Sequence, residues 1–164
     1  MENEKIVVCP GSYDPITLGH LDVITRASAL FDKVIVVAMM NAKKTYSFSP
    51  QERVDLIKKV VKDAGLGNVE VDYYDGLLAD YARQHNAYAI LKGLRAMSDF
   101  ENEFQMALAN KKLNPNIETL FLTTNSQYMY LSSSMVKQIA NMGGDISAFV
   151  PKTVHKDIIK RLAK

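Results

Sequence analysis

The chain is 164 residues long, enough for one domain with a substantial core, and its 48% hydrophobic and 23% charged residues fit a soluble globular protein. A formal charge of +2 argues against nucleic acid or a membrane surface as the main partner, and the longest apolar runs are too short to span a bilayer. The single cysteine, Cys9, excludes an internal disulfide and reads as a small buried residue, and the first residues, Met1 to Lys5, lack the basic and apolar segments of a secretory signal.

Ile6-Val7-Val8-Cys9 reads as a short buried strand. The stretch from Cys9 to His20 follows as a Gly- and Pro-punctuated turn, and Leu21, Ile24, Ala27 and Phe31 continue at helical spacing. A strand therefore feeds a turn, and the turn feeds a helix N-terminus. Such a terminus carries free N–H groups and a partial positive charge, a seat for an anion. Gly11 and Gly19 permit close approach to the backbone. Ser12, Thr17 and His20 add side-chain donors, so the reading is a phosphate site with His20 as a donor.

Val34 to Ala38 is a continuous β-branched run of the kind buried on both faces of a parallel sheet. Asn41 to Tyr46 is a polar loop carrying Lys43 and Lys44. Ser49-Pro50-Gln51-Glu52 has the form of a capping box, and Val54, Ile57, Val61 and Ala64 continue that helix until Gly65 and Gly67 stop it. Val69 to Tyr73 alternates like a strand, and Leu77 to Gln84 reads as a short helix. Ala89-Ile90-Leu91 is a short strand that runs into Lys92-Gly93-Leu94-Arg95. Ser98-Asp99-Phe100-Glu101 is a second capping-box pattern, followed by Phe100, Phe104, Ala107 and Leu108 on one face of the helix, with Phe100, Phe104 and the methionines assigned to core or interface. Asn114-Pro115-Asn116 breaks the chain before a strand over Ile117–Leu122. Asn125–Leu131 reads as irregular, Ser132-Ser133-Ser134 opens a helix to about Asn141, and Pro151 begins a terminal helix with Val154, Ile158, Ile159 and Leu162 inward.

This alternation predicts an α/β fold, a doubly wound five-stranded parallel sheet with helices on both faces, as a single domain over 1–164. Ligands bind beyond the carboxyl ends of such strands. Gly11–His20, Lys43-Lys44, Lys92–Arg95 and Tyr128–Ser134 all follow strands. The set offers cations, hydroxyls and one histidine. It has no dinucleotide fingerprint, P-loop, metal-cage spacing or nucleophile elbow. That chemistry suits phosphoryl or nucleotidyl transfer, which needs mainly alignment and charge neutralisation. A phosphate attacking group is already ionised at neutral pH and needs no general base.

Ser12 to His20 resembles the (H/T)-x-G-H signature of the nucleotidylyltransferase superfamily, and Leu131 to Lys137 is similar to its I-S-S-S/T helix start. The P-G-S-Y-D-P-I-T-x-G-H and K-G-L-R-A-x-S-D-F-E-x-E stretches and the Phe149-Val150-Pro151 sequence resemble the bacterial phosphopantetheine adenylyltransferase family over nearly the whole chain. That resemblance implies a Rossmann-like fold and transfer of an adenylyl group from ATP to 4'-phosphopantetheine. The products would be dephospho-coenzyme A and pyrophosphate, by in-line attack with no covalent enzyme intermediate. It also implies Mg²⁺, a cytoplasmic homohexamer and feedback inhibition by coenzyme A. By the same resemblance, His20, Lys44 and Arg95 are the catalytic residues. Ser12, Tyr13, His20, Gly93, Leu94, Arg95 and Glu103 bind ATP, with the loop Tyr128, Met129, Tyr130, Leu131, Ser132, Ser133 and Ser134. Ser12, Lys44, Leu78, Lys92 and Asn110 hold the phosphopantetheine. Lys92 stands where the family commonly has arginine, Ser12 where some members have threonine, Tyr13 where phenylalanine is usual and Asn102 where an aromatic residue is common.

Other readings stay open at this stage. Lys43 and Lys44 suit a solvated loop, and the triple serine suits a simple helix cap. His85 and His155 read as surface residues, and Asp14 and Asp99 as partners of a site residue or of metal-bound water. The acceptor could be nicotinamide mononucleotide or glycerol phosphate, and a nucleotide-binding regulator without catalysis is a third class. Intact Gly19-His20 and Lys92–Arg95 count against the regulator.

Overall fold

The computed structural model describes residues 4–163; residues 1–3 and 164, including part of the N-terminal segment read above, lie outside it. Five parallel strands, β1 (Ile6–Gly11), β2 (Lys33–Met39), β3 (Val69–Tyr74), β4 (Ala89–Leu94) and β5 (Glu118–Thr123), form one sheet in the order β3-β2-β1-β4-β5. The order reverses between β1 and β4, which pair through Val7↔Ala89 and Val8↔Ile90. In an open sheet that reversal leaves a crevice at the strands' carboxyl ends.

Alternation along the strands sorts the helices onto two faces. Val7, Cys9, Val34, Val36, Ala38, Ala89 and Leu91 pack with α1 (Leu18–Leu30), α2 (Pro50–Asp63), α5 (Ser133–Asn141) and α6 (Lys152–Leu162). Val8, Ile35 and Val37 point the other way, onto Tyr81 of α3 (Leu78–Gln84), while Ile90 meets Ala82 and Ile117. Most of these side chains are 0–2% exposed, and burial of each valine, leucine or isoleucine contributes about 1.5–3 kcal/mol. α4 (Met97–Leu113) lies outside β4 and β5, with Phe100 edge-on to Phe121 at 6.1 Å.

Several expectations shift. β1 runs on through Pro10 and Gly11, which pair with Val37 and Ala38, so the turn starts later than read. β4 likewise includes Lys92, Gly93 and Leu94, paired with Phe121, Leu122 and Thr123. The Ser49 capping box forms, with Pro50 first in the helix and Glu52 bonding back to Ser49 N–H at 2.8 Å. The Ser98 box does not: α4 starts earlier, from Ala96, and Asp99 is taken by Arg95 instead. Of the stripe from Phe100 to Leu108, read as core or interface, Phe104 is 47% and Leu108 57% exposed within the chain. Asn110 is the buried residue of that helix. The loop before α5 holds a 3-10 turn at Ser126–Tyr128. His85 and His155 are half-buried, His85 against the Tyr81 ring at 4.1 Å.

Candidate active site

The β1–α1 connection sets the first wall. Thr17 caps α1: its hydroxyl accepts from His20 N–H at 3.3 Å, and its own N–H donates to His20 Nδ1 at 3.0 Å. A backbone N–H only donates, so Nδ1 is the bare, accepting nitrogen. The ring proton is therefore on Nε2. Thr17 thus fixes the tautomer and leaves Nε2–H as the imidazole's free donor, on a residue lining the crevice.

Tyr13 backs this ring. Its backbone lies in the left-handed region (φ 49°), a conformation costing about 1–3 kcal/mol away from glycine, and its hydroxyl donates to Cys9 C=O at 2.9 Å. The ring lies edge-on to His20 with centroids 4.9 Å apart. It fits because residue 11 is glycine: a Cβ there would stand 3.0 Å from the Tyr13 ring. The open side of Gly11, expected to admit a ligand, is thus partly filled by Tyr13.

The crevice is a cavity of about 320 Å³ at the β1/β4 reversal. Lys44 reaches it from the loop after β2, with Nζ 3.2 Å from Ser12 Oγ. Lys92 and Arg95 reach it from the end of β4. Asp99 and Glu103, one turn apart on α4, hold these cations. Arg95 Nε and Nη2 donate to Asp99 at 3.0 and 3.2 Å, and Lys92 Nζ lies 3.3 Å from Glu103. Arg95 Nη1 also donates to Leu131 C=O at 2.9 Å, joining α4 to the approach of α5. At α5 Ser132 caps the helix through Met135 N–H at 3.1 Å, while Ser133 Oγ donates to Pro15 C=O at 2.7 Å. Two helix N-termini and three cations thus face one space.

Burial, then the charges of Arg95, Lys92 and Lys44, lower the His20 pKa to about 4. The imidazole is neutral at physiological pH and acts as a hydrogen-bond donor. Burial pushes the Cys9 thiol up to about 12, so it is no nucleophile. Among the described residues, no group of three or more His, Cys, Asp and Glu side chains could hold a metal ion.

Of the residues singled out in the sequence, Ser12, Tyr13, His20, Lys44, Lys92 and Gly93 line this cavity. Arg95, Glu103, Tyr128, Leu131 and Ser132 to Ser134 line it too. Leu94, Met129, Tyr130, Leu78 and Asn110 do not. Leu78 packs on the far face, against the Val8–Ile35–Val37 cluster. Met129 and Tyr130 are 51% and 59% exposed, and Asn110 is buried two turns beyond Glu103. Asp14 lies off the cavity, with its carboxylate engaged by Ser47 N–H, Phe48 N–H and Lys137. Val23, Ile24 and Thr124 line it without having been singled out. Val23 follows His20 by three residues and Thr124 follows β5, so helical spacing and the strand-end rule were the available signals. Gly93 belongs there for a steric reason: a Cβ would sit 2.9 Å from Val23 Cγ2.

Residues 8–139 match the sequence model of a family described as Cytidylyltransferase-like. A phosphopantetheine adenylyltransferase of Caldanaerobacter subterraneus subsp. tengcongensis is 55% identical over 98% of this chain and 99% of its own. That of Clostridium tetani is 58% identical over 96% of this chain and 97% of its own. The chain belongs to the phosphopantetheine adenylyltransferase family. Its fold also matches solved structures: a Plasmodium falciparum nicotinic acid mononucleotide adenylyltransferase complexed with NaAD has a TM-score of 0.71 at 16% identity, covering 96% of this chain and 95% of that one. A putative nicotinate-nucleotide adenylyltransferase from Vibrio parahaemolyticus gives 0.68 at 20% identity, covering 98% of both. At such identities the likeness is one of fold. Among the described residues, no helix is long and apolar enough to cross a membrane.

Proposed function

We propose that this chain transfers the adenylyl group of ATP to 4'-phosphopantetheine, giving dephospho-coenzyme A and pyrophosphate, by direct in-line attack. The observation carrying the mechanism is the Thr17–His20 bond, which sets an Nε2–H donor beside three cations in one cavity. An oxygen of the acceptor's phosphate bonds to the α-phosphorus, the α–β anhydride bond breaks, and its electrons leave on pyrophosphate. The attacking phosphate is already ionised, so no base is required. His20 Nε2–H and the α1 and α5 termini stabilise charge growing on the α- and β-phosphate oxygens.

Lys44 and Lys92 hold the acceptor's phosphate beside Ser12, while Leu78 and Asn110, off the cavity, serve the arm beyond it. Gly93, Leu94, Arg95, Glu103 and the Tyr128–Ser134 loop hold the nucleotide, with Tyr13 at its backbone. Lys92 grips as a point charge rather than a fork. Mg²⁺ binds mainly through substrate phosphates and keeps its waters, which fits a cavity whose carboxylates, Asp99 and Glu103, would be freed to reach such waters once the triphosphate takes over Arg95 and the acceptor's phosphate takes over Lys92. When bound, it neutralises triphosphate charge. The same reading includes a cytoplasmic homohexamer and inhibition by coenzyme A, which shares the pantetheine arm.

Pyrophosphate release with ATP and each of 4'-phosphopantetheine, nicotinamide mononucleotide and glycerol phosphate tests the assignment. Release is expected with the first alone. Release with another acceptor alone would reassign the substrate, and release with none would favour a regulator.

A further inference from the structure

Arg53, in the first turn of α2, is fully buried yet does not line the cavity. Its Nη1 donates to Ser12 C=O at 2.7 Å and to Met39 C=O at 3.1 Å, and Nη2 lies 3.2 Å from Met40 Sδ. The guanidinium sits 4.4 Å from the centre of the Tyr46 ring and 5.9 Å from that of Tyr73. Nε is buried without a hydrogen-bond partner, and among the described residues no carboxylate pairs with this cation. A buried charge without a counter-ion is costly, and an aliphatic side chain would fill the space more cheaply. Packing of α2 therefore does not account for it.

What it touches does. Ser12 carries the hydroxyl that meets Lys44 Nζ at 3.2 Å. Met39 ends β2, and the Lys44 loop begins just beyond it. Tyr46 closes that loop: its hydroxyl accepts from Asn41 N–H at 2.6 Å, and Lys44 N–H bonds Asn41 C=O at 2.9 Å inside the closure. The fork therefore grips Ser12 and both ends of the segment that carries Lys44. We propose that Arg53 is a positioning residue for the acceptor's phosphate: bridging Ser12 C=O to Met39 C=O and stacking on Tyr46, it sets the Ser12 hydroxyl and the Lys44 ammonium to face one anion.

The inference rests on the phosphopantetheine reading. Of the residues read as ATP-binding, Arg53 touches only Ser12, which is also read as meeting the acceptor, and it reaches neither Arg95 nor the serine cap. Its effect therefore falls mainly on the acceptor, whose phosphate Lys44 holds. Lysine keeps the charge, and its ammonium can donate to two carbonyls as Nη1 alone does here, but it has neither a planar group to lie over Tyr46 nor a second nitrogen to reach Met40 Sδ.

Arg53→Lys, Arg53→Met and Tyr46→Ala are compared with the wild-type chain for kcat, for KM of each substrate, for affinity toward a non-hydrolysable ATP analogue and for Tm. Arg53→Lys is expected to raise KM for phosphopantetheine about tenfold and lower kcat, with analogue affinity changed less than about twofold. Tyr46→Ala, at a half-buried position, is expected to raise the same KM severalfold at nearly unchanged Tm. A lowered Tm with both KM values unchanged makes Arg53 a packing residue and overturns the inference, as does an equal rise for both substrates. If the Arg53 variants do not fold, Tyr46→Ala decides, and a wild-type KM there overturns the inference. A wild-type chain inactive with phosphopantetheine removes the functional reading and this inference together. An active wild type with indifferent variants removes the inference alone.

Discussion

At the scale of the residue, the Thr17–His20 contact couples a helix cap to the imidazole donor of the proposed mechanism. Protonating His20 would place a second hydrogen on Nδ1, against the Thr17 N–H that now donates to it. Burial first, and then the three cations, lower its pKa to about 4, and the cap favours the same neutral ring. The unfolded chain's histidine titrates near 6.5, so between those values the unfolded state binds more protons. Stability from this group is complete above pH 6.5 and is lost as pH falls toward 4, on the order of 2 kcal/mol after allowing for the ring's partial exposure to the cavity. Urea unfolding across pH 4–7 should show a steeper acid loss in wild type than in His20→Ala; parallel losses would dissociate His20 from the effect. The same variant should lower kcat by about 10²–10³ with ATP affinity little changed, as expected for a preformed donor to the transition state.

At the scale of the element, three segments meet on Asp14, which is 3% exposed. Its carboxylate accepts from Ser47 N–H at 3.0 Å, Phe48 N–H at 2.9 Å and Lys137 Nζ at 2.7 Å, tying the β1–α1 turn to the Lys44 loop and to α5. Asp14→Asn puts an amide N–H₂ where one of these donors points and strips Lys137 of its counter-charge. It should cost about 3 kcal/mol in urea unfolding, and Lys137→Met less, because Lys137 is partly exposed. Equal and small losses would mean that the pair is not holding the segments together. This network also marks what local sequence could reveal. The Ser49 box, the Ser132 cap and the strand–helix alternation follow from nearest neighbours and period, and all were readable. Asp14 acts across 33 to 123 residues and Arg53 across 13 to 41, so neither periodicity nor a capping pattern signals them. The Ser98 box misled because α4 is already helical from Met97, which puts Ser98 inside the first turn rather than at the cap. Strand ends at Gly11 and Leu94 were missed because a parallel neighbour, not composition, extends them. The cavity lysines and Arg95 were legible chiefly by their place after strands and through family resemblance.

At the scale of the molecule, much of the apolar stripe on α4 is exposed within the chain. Phe104, Met106, Leu108 and Leu113 are 47–57% exposed, with Leu120 of β5 at 38%. A helix with so little of itself buried in its own chain is loosely held, yet α4 supplies Asp99 and Glu103, the carboxylates that place Arg95 and Lys92. Exposed apolar groups of this extent are unusual on a lone monomer. In the proposed hexamer, a neighbour covering this stripe would bury it and fix α4 against β4, so assembly and the cation pair would stand or fall together. Phe104→Glu combined with Leu108→Lys introduces charges there without touching the cavity. Light scattering after size exclusion should show the wild-type chain at several times its own mass and the double variant shifted toward the monomer. The variant's kcat should fall and its KM for both substrates rise, since α4 carries partners of both cations. A wild-type chain that runs as a monomer, or a variant that dissociates with kinetics unchanged, would sever assembly from the site.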